Sequence, residues 1–181
     1  MLLSILLAII FAKLQHYKIK PLFRNVWLLP LAVTELVYIV FQISLISGYY
    51  GFIRYAQPLK TISLYVLILP ILRYRLYKPS IVGSALILIG TYLNRLVMSL
   101  NNGLMPVFPT LSSKVGYFTT TPLGIYDTIH CLGDVHTRLK ILTDYIDLGY
   151  CILSPGDLFV HSFTVIILYY TIKQLNNNTL N

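Results

Sequence analysis

The sequence predicts an all-α fold, a polytopic bundle of about five transmembrane helices that forms one integral membrane domain over residues 1–181. Hydrophobic residues make up 56% of the chain and charged residues only 11%, whereas roughly a quarter of a soluble domain is charged. The apolar residues also stand in long blocks instead of recurring at the spacing of a buried helix face. We therefore expect the lipid bilayer to surround most of the chain.

Each span follows from the length of an apolar block, because a bilayer core about 30 Å thick requires about 20 apolar residues in a helix. The first block is short, so we expect it to thin the bilayer or to let Lys13 reach the interface. It lacks a basic residue before its apolar core and a cleavage site after it, which favours a retained helix over a secretory signal. The predicted spans are residues 1–14, 26–47, 52–72, 81–100 and 158–172.

The basic residues predict the orientation of these helices. Four lie between the first two spans (residues 13–24), three lie between the third and fourth (residues 73–78), and Lys173 follows the last. The positive-inside rule places these segments and the C-terminus in the cytoplasm, and the N-terminus outside, for a protein of the plasma membrane. The net charge of +8 is then explained by orientation and by anionic lipid head groups, and nucleic acid is not an expected partner.

The long loop, residues 101–157, separates the last two predicted spans and is much longer than a turn requires. Five of the six acidic residues lie in it, between Asp127 and Asp157. The pattern HTRLKILTDYIDL places Leu139, Leu142 and Ile146 on one stripe, which predicts an amphipathic helix over 137–148 on the outer membrane surface. We expect this extracytoplasmic loop to be the functional region.

Three motifs carry a resemblance to a known family: NNGLMPV after the fourth span, HTRLKILTDYIDL in the long loop, and SPGDLFVHSF at the last span. Over mainly its C-terminal half, the chain resembles a family of bacterial multi-pass membrane proteins known as domain of unknown function number 5317. The resemblance implies a topology and a motif set but no reaction. His161 and Ser162 depart from it, since small or apolar residues including a glycine are expected there. The matching residues are Asn102, Gly103, Met105, Pro106, Val107, Thr137, Leu139, Leu142, Asp144, Ser154, Gly156 and Asp157.

Two charged residues lie inside predicted spans. Glu35 falls near mid-bilayer, where an ionised acid costs roughly 2.5 to 3.5 kcal/mol. It is interpreted either as a residue that holds helices together or as part of a proton or cation pathway. Arg95 lies near the outer end of the fourth span, and we expect it to pair with Asp157 and fasten the long loop to the bundle. Capture of an anion or substrate is the alternative for Arg95.

Polar residues of the long loop are the remaining binding candidates. Asn102 lies in a turn that Gly103 and Pro106 explain by themselves. Alternatively, asparagine amides could converge with Asp144 and Asp157 on a ligand or a hard cation, which takes oxygen ligands. No known metal-binding spacing is present, so no metal site is assigned.

Cysteine and histidine residues allow several weaker hypotheses. His130 and Cys131 suggest a thiol nucleophile with an imidazole base, but adjacent side chains seldom face each other, and His136 or His161 could serve instead. These three histidines lack a typical metal-site spacing. Cys131 and Cys151 could also form a disulfide or remain ordinary thiols.

Three functions follow from these residues. The favoured one is a non-enzymatic accessory subunit or binding module whose long loop docks another membrane subunit or a small ligand. The second is a transporter component for small solutes or ions that uses Glu35 and Arg95. The third is a membrane-embedded hydrolase with Asp144, Asp157 and a histidine as acid and base. The sequence has no phosphate loop, nucleophile elbow, HExxH or CxxC motif, so no catalytic residue or cofactor is assigned.

Overall fold

Helices dominate the computed structural model, which describes residues 2–177. Four helical stretches in this part of the chain are long and apolar enough to cross a membrane: Val26–Ile46, Ile53–Tyr74, Tyr77–Leu100 and Pro155–Asn177. The predicted polytopic all-α fold is confirmed, and its first block forms a shorter apolar helix. The α-helices are α1 (Leu2–Leu14), α2 (Lys20–Phe23), α3 (Leu29–Ile46), α4 (Ala56–Val66), α5 (Ile68–Tyr74), α6 (Tyr77–Leu100), α7 (Leu111–Lys114) and α8 (Pro155–Asn177).

The helical stretch Ile53–Tyr74 is interrupted at Leu67, between α4 and α5. Pro70 has no N–H, so it cannot donate the helical hydrogen bond to the carbonyl of Val66. The helix is tighter at Leu67, whose N–H donates to the carbonyl of Leu64, three residues earlier, at 3.2 Å. A single proline thus divides this predicted span into two helices.

The chain divides into two compact units. The helical unit comprises Met1–Val37, Pro58–Ile87 and Val160–Asn181, and the mixed unit comprises Tyr38–Gln57 and Leu88–Phe159. Helices α3, α4, α6 and α8 contribute residues to both units.

The core of the helical unit explains how the short helix α1 is held. Its buried residues are Ser4, Ala8 and Ala12, which recur every four residues and line one face. Small side chains let helix backbones approach closely where lipid provides no hydrophobic driving force. Ala8 and Ala12 belong to the same buried cluster as Ile167 and Leu168 of α8. Helix α1 is therefore part of this unit despite its length.

A glycine sets the approach of α6 and α8 in the helical unit. A Cβ atom added to Gly83 would lie 2.6 Å from Cδ2 of Phe163, so no larger residue fits without movement. The resemblance placed a small residue around His161 and Ser162 of α8 instead. Here both of those residues are half-buried, and Gly83 of the facing helix provides the close contact.

The mixed unit contains the strands. Strand β1 (Met105–Val107) pairs in parallel with β2 (His130–Leu132), and β3 (Ile146–Asp147) pairs antiparallel with β4 (Ile152–Leu153). A further parallel bridge joins Val107 to Asp144. The long loop is thus a folded segment.

The predicted amphipathic helix over residues 137–148 is wrong. Leu139 has a left-handed φ of 51°, and only Lys140–Leu142 forms a short 3-10 turn before the chain becomes extended. The Asp144 N–H donates to the Pro106 carbonyl at 3.1 Å, and its carbonyl accepts from the Phe108 N–H at 2.8 Å. These hydrogen bonds to β1 and its end fix the extended backbone, so tertiary pairing overrides the apolar periodicity.

Candidate functional site

Asn101 fastens the long loop to the end of α6. Its Nδ2 donates to the carbonyls of Val97 (2.8 Å) and Arg138 (3.1 Å), and its Oδ1 accepts from the Arg138 N–H at 2.9 Å. The predicted candidate Asn102 is instead exposed, with a left-handed φ of 58° in the turn that Gly103 continues. Ligand or partner binding by Asn102 stays a prediction, and Asn101 is the residue of this pair that holds the loop.

Two further contacts hold the long loop to the first part of the mixed unit. Gln42 Nε2 donates to the Tyr150 carbonyl at 3.0 Å. The hydroxyls of Tyr50 and Thr119 form a hydrogen bond at 3.0 Å. The loop is therefore attached at well-separated points along its sequence.

A histidine lies between two carboxylates in the long loop. His130 Nδ1 lies 2.9 Å and 2.8 Å from the two carboxylate oxygens of Asp127. On the other side of the ring, His130 Nε2 lies 3.5 Å from Oδ2 of Asp144. Since a carboxylate only accepts hydrogen bonds, Nδ1 carries a proton and Nε2 faces Asp144. We call Asp127, His130 and Asp144 the histidine cluster.

Local structure positions each member of the histidine cluster. Asp127 Oδ1 accepts from the N–H groups of Ile129 and His130, both at 3.1 Å, a turn that directs the carboxylate at the following imidazole. His130 begins β2, and the bridge to Val107 holds Asp144. The cluster therefore joins two segments of the mixed unit, residues 127–130 and the chain at Asp144.

The charges of the histidine cluster support one another. Burial by itself would lower the pKa of His130, but the hydrogen bond to Asp127 and the charges of Asp127, Asp144 and Asp157 raise it above its ordinary value. Burial would raise the pKa of Asp127, but the hydrogen bond and charge of His130 and two backbone N–H groups lower it. Each of these two groups thus favours the charged form of the other.

Asp157 closes the start of α8 together with Ser154. The Asp157 N–H donates to Ser154 Oγ at 2.9 Å, and the Ser154 N–H donates back to Asp157 Oδ2 at 3.5 Å. This reciprocal arrangement is a capping box, which the spacing Ser-x-x-Asp signals in the sequence. Asp157 therefore has a structural role at the helix N-terminus.

The neighbour of Asp157 on α6 is Asn94, which corrects the predicted pair with Arg95. Asn94 Nδ2 donates to Asp157 Oδ1 at 3.3 Å, and Ser154 Oγ donates to Asn94 Oδ1 at 2.8 Å. Arg95 is exposed. Adjacent helical residues project about 100° apart, so a depth estimate could not distinguish Arg95 from Asn94. An amide–carboxylate hydrogen bond replaces the predicted ion pair.

The sequence of this chain matches a family of unknown function (DUF5317) over residues 20–169. The chain belongs to this family. The match extends into the N-terminal half, beyond the region of the resemblance. No curated protein and no solved structure matches the chain.

Geometry now explains one motif of this DUF5317 chain, Ser154-x-Gly156-Asp157. Ser154 and Asp157 form the capping box, and Gly156 lets α8 approach α6. A Cβ atom added to Gly156 would lie 2.7 Å from the Gly90 carbonyl oxygen and would clash with Asn94. Ser154, Gly156 and Asp157 therefore all lie where α8 packs against α6.

Asp147, which the sequence analysis did not single out, is a second structural acid of this DUF5317 chain. Its Oδ2 accepts from the N–H groups of Thr110 (2.6 Å) and Ser112 (2.9 Å), and its Oδ1 accepts from the Gly149 N–H at 2.8 Å. Burial opposes ionisation, but these hydrogen bonds and that of the Ser112 hydroxyl lower the pKa of Asp147 to about 2. Thr110 and Ser112 lie 37 and 35 residues away in sequence, so no local pattern indicates that Asp147 binds them.

Glu35 lies in the helical unit, whereas the other candidates lie in the mixed unit. Its side chain is buried, and neither carboxylate oxygen has a hydrogen-bond partner among residues 2–177. Binding of a ligand or partner stays a prediction for Glu35. It also stays a prediction for the other candidates, which are Asn102, Arg95, Asp144 and Asp157.

The two cysteines of this DUF5317 chain do not form a disulfide in the described residues 2–177. Cys131 and Cys151 are both half-buried. Burial and the charge of Asp134 raise the pKa of Cys131, which disfavours the thiolate that a nucleophile requires. Within residues 2–177, no group of three or more histidine, cysteine or acidic residues is placed to hold a metal ion.

Proposed function

We propose that this protein is a non-enzymatic accessory subunit or binding module of a bacterial plasma membrane, and that its long loop binds another membrane subunit. The orientation proposed from the basic residues, with the N-terminus outside and the C-terminus in the cytoplasm, leaves the long loop outside. Four helices long and apolar enough to cross a membrane support the membrane location. The function therefore depends on what the long loop presents.

The observation that carries this proposal is a rigid turn, residues 122–127. The N–H groups of Tyr126 and Asp127 both donate to the Pro122 carbonyl at 2.9 Å, and the Gly124 N–H donates to the Asp127 carbonyl at 2.8 Å. The turn holds out Ile125, which is 72% exposed, and Tyr126, which is 46% exposed. Aromatic and apolar side chains on a hydrogen-bonded backbone favour a protein partner, because little backbone entropy remains to be lost on binding.

The polar groups near this turn support binding over chemistry. Asp127, the last residue of the turn, is engaged with His130, and Asp157 is engaged with Asn94 and Ser154. These groups stabilise the fold of the long loop. Recognition is then left to exposed apolar side chains of the long loop, and Ile125 at the tip of the turn is among the most exposed of them.

Photo-crosslinking in native membranes tests this proposal with a matched control. A photoreactive phenylalanine analogue replaces Tyr126 in one variant and Tyr145 in the other, since both tyrosines lie in the long loop and are 46% exposed. We expect one discrete membrane-protein adduct from position 126 and none from position 145. The purified adduct partner should then bind the wild-type chain in nanodiscs at least about tenfold more tightly than the I125S/Y126S variant.

Equal adducts at both positions would contradict the proposal, because they indicate random contact. So would a purified partner that binds the wild type and the I125S/Y126S variant equally. Labelling of lipid alone would mean that the turn contacts the bilayer and not a subunit.

The histidine cluster favours a second candidate function, a membrane-embedded hydrolase. An imidazole whose Nδ1 is held by one carboxylate resembles an oriented general base, and its Nε2 lies 3.5 Å from Asp144. Purified protein in nanodiscs should then release product from the bilayer lipid or from added peptides, and H130Q should abolish that release. Equal product from wild type and H130Q would exclude this role for His130.

A further inference from the structure

The net charge of the chain lies entirely in the helical unit. That unit has nine basic residues against one acidic residue, Glu35, which leaves +8, whereas the mixed unit has five of each and is neutral. The sequence alone showed only that basic residues flank apolar blocks. The basic residues of the helical unit are Lys13, Lys18, Lys20, Arg24, Lys60, Arg73, Arg75, Lys78 and Lys173.

Packing brings several of these residues to one end of the helical unit. The guanidinium carbon of Arg73, at the end of α5, lies 6.0 Å from the centre of the Trp27 ring. The Lys18 N–H donates to Asn176 Oδ1 at 2.8 Å, and Asn176 Nδ2 donates to the Lys18 carbonyl at 3.0 Å. The segment before α3 therefore contacts the ends of both α5 and α8. We call this region the basic end. It comprises Trp27 and the basic residues outside α1 that lie within five positions in sequence of these contacts, which are Lys18, Lys20, Arg24, Arg73, Arg75, Lys78 and Lys173.

Large apolar side chains are exposed among these charges. Phe23 is 77% exposed, Val26 is 75% exposed, and Trp27 is 45% exposed, and all three lie within three residues of Arg24. Such exposure is unfavourable in water. It is typical of the membrane–water interface, where tryptophan and basic residues are enriched.

We infer that the basic end is a binding site for anionic phospholipid. Arg24 and Arg73 would bind the phosphate, since guanidinium groups suit phosphate oxygens. Phe23 and Val26 would contact the acyl chains. This combination explains why charge and apolar exposure occur together, which neither inorganic phosphate nor a soluble polyanion would require.

The single tryptophan of the chain provides an intrinsic probe of this site. Trp27 is the only tryptophan, and its ring lies beside Arg73. The full-length protein is reconstituted in phosphatidylcholine vesicles that contain a small fraction of either brominated phosphatidylglycerol or brominated phosphatidylcholine. If anionic lipid is enriched at the basic end, brominated phosphatidylglycerol should quench Trp27 fluorescence at least about twofold more than the same fraction of brominated phosphatidylcholine.

Matched double variants separate a local site from a general charge effect. R24Q/R73Q removes two exposed charges of the basic end, and R138Q/K140Q removes two exposed charges of the mixed unit. The quenching ratio is the quenching by brominated phosphatidylglycerol divided by that by brominated phosphatidylcholine. We expect this ratio to fall close to one in R24Q/R73Q and to keep its wild-type value in R138Q/K140Q. The ratio compares two lipids in one variant, so a change in the intrinsic fluorescence of Trp27 cancels.

Three further outcomes decide the inference. Equal quenching by the two lipids in the wild type would overturn it, as would equal loss of preference in both double variants. Displacement of brominated phosphatidylglycerol by inorganic phosphate at constant ionic strength would also overturn the inference, since the site would then bind the free anion. If R24Q/R73Q does not fold, K20Q/K78Q should lower the ratio part of the way, and no change in that variant would contradict the site.

Discussion

At the scale of single residues, the charge of His130 depends on its two carboxylate neighbours. Asp127 and Asp144 approach opposite nitrogens of the ring, at 2.8 Å and 3.5 Å. A histidine whose pKa is raised in the folded state contributes stability that is fully present at pH values below its unfolded pKa. This contribution is lost as the pH rises through the folded pKa. The mixed unit should therefore be less stable in alkaline solution than in mildly acidic solution.

The Asp127→Asn substitution should lower the pKa of His130, because it removes the hydrogen-bonded charge at Nδ1. Proton NMR of the His130 ring during a pH titration measures this change directly. Asp134→Asn is the matched control, since Asp134 is an exposed carboxylate of the same loop that contacts the Thr137 hydroxyl. An unchanged His130 titration in Asp127→Asn would contradict the assigned contact.

The Gly156→Ala substitution should destabilise the junction of α6 and α8. The added methyl group would meet Asn94 and the Gly90 carbonyl, and overpacking of this kind costs about 1 to 3 kcal/mol. Thermal unfolding in detergent measures the loss. Leu158→Ala, at an exposed position two residues further along α8, should change the unfolding temperature much less, and equal effects of the two substitutions would contradict the close approach.

The sequence could predict some of these residues but not their partners. The sequence indicates Asp144 and Asp157 as oxygen donors that could converge on a ligand or cation, and Ser154 with Asp157 carries a local capping signal. The contact of Asp157 with Asn94 depends on which face α6 turns to α8, which residue counting cannot determine. Asp127 and His130 are three residues apart and could have been paired from their spacing, because an aspartate side chain often binds backbone groups just after it.

At the scale of elements, Asn101 links the end of α6 to the turn at Arg138. One side chain bridges 37 residues of sequence by satisfying both backbone groups of Arg138. The same hydrogen bonds compete with helix formation in the region where the apolar stripe predicted it. The length of the apolar blocks predicted the long apolar helices well because the thickness of the bilayer imposes that length, but the long loop is determined by pairings that no local pattern encodes.

The Asn101→Ala substitution should release the turn at Arg138 from α6. It removes three hydrogen bonds, which contribute roughly 0.5 to 1.5 kcal/mol each, so hydrogen exchange should accelerate by about tenfold or more over residues 137–144. Exchange in the middle of α6 should stay slow. Hydrogen–deuterium exchange with mass spectrometry measures both regions in one experiment.

Asn102→Gly is the control for that experiment. It removes the neighbouring asparagine side chain while glycine tolerates the left-handed backbone found there. We expect wild-type exchange over residues 137–144 in this variant. Faster exchange in Asn102→Gly than in Asn101→Ala would contradict the role assigned to Asn101.

At the scale of the whole molecule, charge and fold are distributed unequally along the chain. The helical unit carries the entire net charge, and the mixed unit carries five of the six acidic residues and every strand found within residues 2–177. Hydropathy and charge counts predicted the spanning helices and a long loop that contains most of the acids. They could not predict the two compact units, because the boundary residues Val37, Ile87 and Phe159 fall in or beside apolar helical sequence.

The side of the membrane on which the long loop lies decides whether a partner can reach it from outside. Single cysteines introduced next to Lys114 in the long loop and next to Lys78 at the start of α6, in a background without Cys131 and Cys151, measure this in intact cells with a membrane-impermeant thiol reagent. We expect the cysteine near Lys114 to be labelled in intact cells and the cysteine near Lys78 to be labelled only after the membrane is permeabilised. The reverse pattern would contradict both the orientation and the proposed role of the long loop.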